Sequence, residues 1–215
     1  MRRAWMLFAS FVSITGVGCV TGRRTTPLDI PQPSGLVAPS KPPLGVGPVT
    51  DQRRFENKPS DPSTPSINGD VSEVSREQLK VLVGRQRNSF GKAMGDIALP
   101  GGQTVESQVQ QLVELGFRRR GYAIGSRGQT PDAAVVTINE FWAWTTPGFS
   151  SLSFEARVRC TISATVGGKN RSFDVLGYGI NKGQVASDAN WQLAYKLAFD
   201  DFLAKFDTAA AAAGL

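Results

Sequence analysis

The chain contains no histidine and only two cysteines among its 215 residues. Without histidine it lacks the side chain that most often acts as general base near neutral pH and most often ligates metals. Ser-His and Cys-His nucleophile pairs are excluded with it. No run is long enough for a permanent membrane span. The N-terminal apolar stretch, Ala4 to Gly18, has 15 residues, and a spanning helix needs about 20. A strong charge of one sign is also missing. The 24 basic and 18 acidic residues leave +6, spread along the chain, so nucleic acid is not an expected partner. Proline becomes scarce after residue 67, where only three of the 13 fall.

What is present begins with a signal. MRR is followed by AWMLFASFVSITGVG, a basic region, an apolar stretch and small residues, which is the pattern of a secretory signal. Its end, SITGVGCVTG, resembles a bacterial lipoprotein signal, in which small residues precede a cysteine that is acylated and becomes residue one. Val17 and Gly18 precede Cys19 acceptably, and Gly16 stands where a branched aliphatic is usual. Cys19 is therefore the expected lipid anchor. Each buried methylene contributes about 0.8 kcal/mol, and two or more chains give stable attachment. Val20, not aspartate, follows Cys19, which by the same resemblance points to the outer membrane. Cleavage removes Arg2 and Arg3, leaving 22 basic against 18 acidic residues, a balance of +4. With Cys19 acylated, Cys160 has no partner for an intramolecular disulfide.

Four regions follow. Residues 1–18 are the signal. Residues 19–70 hold ten of the 13 prolines with little apolar periodicity, and predict a disordered tether behind the lipidated cysteine. Residues 71–207 predict one periplasmic domain, and 208–215 an Ala-rich tail that frays.

Within the domain, 76–89 has a β-like centre at Leu79 to Val83. Residues 101–122 predict an amphipathic helix through Val105, Val109, Leu112 and Leu115, with Thr104 as N-cap and Gly121 as stop. Residues 132–144 read as a strand rich in β-branched and aromatic side chains. Residues 154–166, FEARVRCTISATV, alternate apolar and polar throughout, the mark of an antiparallel sheet packed on one side. GGKN at 167–170 is a hairpin turn, and 171–180 returns as a strand whose Gly177 and Gly179 mark a bulge or crowding. Residues 186–206 predict a second helix, capped by Ser187, with Trp191, Ala194, Tyr195, Ala198, Phe202 and Phe206 as its stripe. The expected fold is α+β: an antiparallel sheet of about four strands with two helices on one face, preceded by a disordered tether.

The lipoprotein signal, VLVGRQRNS, ELGFRRRGYAIG, PDAAVVTINEF, FEARVRCTISATV with GGKNRSF, and NKGQVASDANW together resemble the YajG-type lipoproteins over about residues 76–206. The resemblance implies an outer-membrane lipoprotein with a periplasmic domain, no established enzyme activity and no catalytic residues to carry over. By architecture alone, the combination of anchor, tether and small domain also resembles lipoprotein activators of peptidoglycan synthases.

No catalytic, cofactor or metal constellation emerges, and the expectation is a non-enzyme that binds an envelope protein or peptidoglycan. Cys160 falls on the apolar face of its strand and reads as core. Asp200 and Asp201 are adjacent on a helix and face apart. Glu140 and Asp174 have no local acid-base signature, and no helix opens after Gly177 and Gly179 to make a phosphate loop. The candidate partner surface is Trp142, Trp144 and Phe149 around the TTPG turn, with Arg118, Arg119 and Arg120 at the first helix end; the competing readings are core packing for the aromatics and a solvated helix end for the arginines. Aromatics are enriched at interfaces; cations at a helix C-terminus complement its dipole.

Overall fold

A computed structural model describes residues 22–32, 36–88, 92–126, 128–149 and 151–215. Cys19 and the signal region lie outside the described residues. The first strand, β1 (Arg24–Thr25), is followed by β2 (Lys41–Asp51), a 3-10 turn at Val71–Glu73 and the short helix α1 (Arg76–Leu79). Next come β3 (Leu82–Arg87), β4 (Ala93–Ala98), α2 (Val105–Arg119) and β5 (Tyr122–Gly125). The three long strands β6 (Asp132–Pro147), β7 (Leu152–Val166) and β8 (Lys169–Gly183) lead into α3 (Asp188–Ala212).

All eight strands form one mixed sheet, which overturns the expectation of an antiparallel sheet of about four strands. β6, β7 and β8 are antiparallel neighbours along their whole lengths, as the alternation and the GGKN turn require. The other edge of β6 is shared. β2 runs parallel to its first half, from Asp132 to Ile138, and β3 runs parallel to it at Ala143. The sheet therefore forks at β6, with β5 beyond β2 on one arm and β4 and β1 beyond β3 on the other.

The disordered tether is also overturned. β2 lies inside the region read as tether and sits between β5 and β6. Leu44 and Val46 are buried in the main core. Pro48 has no N–H for a ladder and falls in the register break between Val46 and Val49. Proline content misleads here because the prolines flank or interrupt short paired stretches without preventing them.

Two apolar layers result. α2 packs over β2 and β5, and α3 over β8 and β7, on one face. Thr104 and Ser107 form a capping box at the start of α2. The ring of Phe206 meets Phe117 edge-on at 5.1 Å and Phe141 stacks on Tyr195 at 5.0 Å; fully burying such side chains contributes about 1.5–3 kcal/mol each. The Ala-rich tail does not fray: α3 continues to Ala212, and Ala210 and Leu215 are buried. On the opposite face a second cluster joins Ile67, Leu82, Ala98, Trp142 and Trp144, with Phe55, Val71, Val74 and Leu79 packed on it. Residues 55–81 thus cover the β3 arm as a lid.

That lid hides an ion pair. Arg85 and Asp96 are both buried, 4.0 Å apart. Arg85 donates to the Ile67 carbonyl, and Asp96 accepts from the Asn68 N–H at 3.0 Å. Burial raises the Asp96 pKa, against the opposing pull of Arg85 and the Asn68 N–H. An acid with a raised native pKa binds more protons folded than unfolded, so its contribution to stability falls as pH rises from about 4 through that native pKa. Asp96→Asn should remove this falling component. Urea midpoints across that window, compared with wild type, are the measurement; an unchanged profile would show that Asp96 titrates alike in both states.

Candidate functional site

The long strands leave one face of β6–β8 without helices, and it carries a polar lattice. Glu140 faces Arg159 at 3.4 Å and Arg157 at 3.8 Å. The Arg157 guanidinium lies 5.0 Å over the Trp144 ring. Tyr178 donates to Glu155 at 2.6 Å, and burial, with that carboxylate, pushes its phenol up to about 12. Farther down, Asn139 donates to Thr161, which donates to Asp174.

Where this face meets the covering segment there is a cavity of about 400 Å³. Its floor is Asn139, Glu140, Trp142 and Arg157; its wall includes Gln52, Arg54, Glu56, Ser63 and Thr64. Strand β6 shifts register between Ile138 and Glu140. The bulge turns Glu140 and Trp142 to this face, while Phe141 and Ala143 point into the helix-side core. The lid end of the wall is held by the Glu56 N–H donating to the Pro65 carbonyl at 2.9 Å and by Asp61, which accepts from the Ser63 N–H at 2.8 Å. That bond lowers the Asp61 pKa. The Trp142 indole N–H is buried and has no hydrogen-bond partner among the described residues. A buried donor without an acceptor costs about 1–3 kcal/mol. Two guanidinium groups, two carboxylates, two amides and two hydroxyls line the cavity, so it offers both donors and acceptors to a polar ligand.

The sequence-predicted residues do not come together. Trp142 and Trp144 are only 1 % and 4 % exposed, so of the two readings it is core packing that the structure shows; residues 55–81 cover them, from the end of the expected tether and the start of the expected domain. Trp142 nevertheless borders the cavity. Arg119 pairs with Asp207 at 2.6 Å, and Arg120 donates to the Asp207 and Leu215 carbonyls. These two arginines tie the end of α2 to the end of α3. Arg118 faces Glu114 at 3.8 Å. Phe149 alone among the aromatic candidates is fully exposed, at the β6–β7 turn.

Cys160 is completely buried on the helix face, and burial drives its thiol pKa far upward, so it stays protonated and unreactive. Asp200 and Asp201 pair separately with Lys196 and Lys205, and Asp201 also accepts the Tyr178 backbone N–H. Among the described residues no group of three or more Cys, Asp or Glu is placed to hold a metal ion. The residues that sequence reasoning missed are Gln52, Arg54, Glu56, Ser63 and Thr64. The available signal was the two-residue apolar spacing of Leu44 and Val46 just upstream, which marks a strand and brings the following residues onto the sheet.

No protein-family model matches the chain, and no curated protein matches it. Solved structures do. A Xanthomonas campestris protein of the family DUF330 is 10% identical, with a TM-score of 0.40 over 86% of this chain and 90% of that one. A second, described as an uncharacterized protein, is 11% identical, with a TM-score of 0.35 over 87% and 96%. A hypothetical protein from Chlamydia trachomatis is 11% identical, with a TM-score of 0.37 over 80% and 99%.

Proposed function

We propose that the chain is a lipid-anchored protein of the cell envelope, held by Cys19 to the outer membrane, whose periplasmic domain is a binding module and not an enzyme. The signal pattern at residues 1–19 and the resemblance to YajG-type lipoproteins support the anchor. The binding role is carried by one observation: the polar cavity between β6–β7 and the 52–65 segment, floored in part by Trp142. Its partner is an extended polar chain, either a segment of an envelope protein or the peptide stem of peptidoglycan. Anchoring raises the effective concentration of the domain at such a partner.

The test is photo-cross-linking in intact cells from a reactive residue at position 139, compared with one at the exposed Ser172 on the same face. A discrete adduct from 139 but not 172 is expected. Arg54 is exposed, so Arg54→Glu leaves the fold intact and should weaken the adduct about tenfold by reversing charge at the cavity wall. Equal labelling from both positions, or indifference to Arg54→Glu, would remove the cavity from consideration.

A further inference from the structure

We propose that the end of the sheet carrying Phe149 and Val185 rests on the bilayer surface, with the Phe149 ring inserted among the lipid headgroups, an orientation that rests on the reading of Cys19 as the anchor.

The strand register supplies the geometry. β1 runs parallel to β4, with Arg24 opposite Ile97, and the backbone of Gly22 lies directly against Gly95. Gly95 pairs with Gln86 on β3, two residues beyond Gly84, and Gly84 is level with Ala143 on β6. Gly22 is therefore level with about Thr145, near the end of β6 at Pro147. The described chain begins at that end. Only Val20 and Thr21 lie between Gly22 and Cys19, three backbone steps with a reach of about 10 Å at most. A lipid on Cys19 thus brings this end of the domain, and no other, to the membrane.

The same end carries the most exposed apolar side chains. Pro147 pairs with Leu152, and Leu152 with Gly183, so the β6–β7 turn and the β8–α3 connection lie side by side. Phe149 is fully exposed on the first and Val185 is 67 % exposed on the second; no other large hydrophobic among the described residues is as exposed. Arg24 donates to the Ala186 carbonyl at 2.8 Å and pairs with Asp188 at 2.7 Å, which locks the entering chain to the Val185 connection. Arg23, Lys92 and Lys182 are exposed around them. An apolar tip ringed by cations is the composition that settles into an interface of anionic headgroups. The β7–β8 turn at Gly167–Gly168 lies at the far end of the sheet.

The test uses the full lipidated chain in vesicles of phosphatidylethanolamine and phosphatidylglycerol containing a headgroup-region nitroxide quencher. An environment-sensitive fluorophore is placed on Phe149→Cys or, at the far end, Lys169→Cys; buried Cys160 does not compete for label. Flotation of each protein and of Cys19→Ser is measured in parallel. Chains that float through Cys19 should lose about half their fluorescence at 149 and little at 169. Floating chains with equal or no quenching at both positions would overturn the docked orientation and leave the anchor standing. Chains that do not float, or that float equally well as Cys19→Ser, would overturn the anchor and the orientation with it.

Discussion

Replacing Arg53 with alanine should cost about 3–5 kcal/mol of folding stability, the range for breaking a buried, hydrogen-bonded ion pair. Arg53 sits where the sheet forks. β2 ends and β3 begins on the same side of β6, so carbonyls near the junction have no neighbouring strand to pair with. The guanidinium takes their place. Its Nη1 donates to the Leu82 carbonyl at 2.6 Å and the Phe141 carbonyl at 3.0 Å, and its Nη2 donates to Leu79 at 2.9 Å. Asp51 holds the group from the other side at 2.7 Å, and the Arg53 side chain has no exposure to water. Alanine would strand a carboxylate and three carbonyls. Arg53→Lys should recover only part of the loss, because one ammonium cannot span three carbonyls as a planar fork of five N–H groups does. Urea unfolding at neutral pH is the measurement. A loss below about 1 kcal/mol for Arg53→Ala would mean that water satisfies the fork as well as the guanidinium does.

The second large effect lies where α3 crosses β8. A Cβ on Gly179 would stand 2.2 Å from the Ala194 carbonyl oxygen and 2.5 Å from the Ala198 nitrogen; one on Gly177 would stand 2.2 Å from the Ala198 oxygen. These are helix backbone atoms, which no rotamer change can move aside. Gly179→Val should therefore exceed the usual overpacking cost of about 1–3 kcal/mol, because α3 must lift off the sheet and uncover Tyr195, Phe199 and Phe202. Gly177→Val with Gly179→Val should leave no folded protein at room temperature, given a typical total of about 5–15 kcal/mol. Gly101 has open space around it, and Gly101→Ala should stay within about 0.5 kcal/mol of wild type. Thermal unfolding followed by circular dichroism separates the three. A Gly179→Val protein as stable as Gly101→Ala would refute the close contact.

These glycines also show how far the sequence could be read. Their pattern raises two explanations, a bulge or crowding. The β7–β8 register runs unbroken from Leu152–Gly183 to Val166–Lys169, so crowding by α3 is the reason for both. The strands β4 and β5 carry no legible signal. AMGDIA and YAIG are too short for a period to show, and they persist because longer neighbours offer them backbone partners. Trp142 and Trp144 were legible as a pair sharing one strand face, with core and partner surface both open, since what buries them lies about 60 to 90 residues earlier in the chain. The cavity was illegible for the same reason: Arg54 and Glu56 border it only because the chain after β2 crosses back over β6.

By itself, the sequence determined the elements whose side chains repeat along their own length. The 3.6-residue stripe of α2 with its Thr104 cap, the strict alternation of β7, the glycine turn after it and the aromatic face of α3 are local properties, written in consecutive residues. It also determined what chemistry is missing, because a chain without histidine lacks it in any fold. Tertiary structure alone decided the rest. Parallel pairing joins residues far apart, as Leu44 with Asp132 and Gly84 with Ala143, and such contacts leave no period in the sequence. A proline-rich segment therefore became the second layer of the fold, two tryptophans became its core, two arginines became a clasp between helix ends, and the point where the chain enters the sheet came to lie at the end that exposes Phe149.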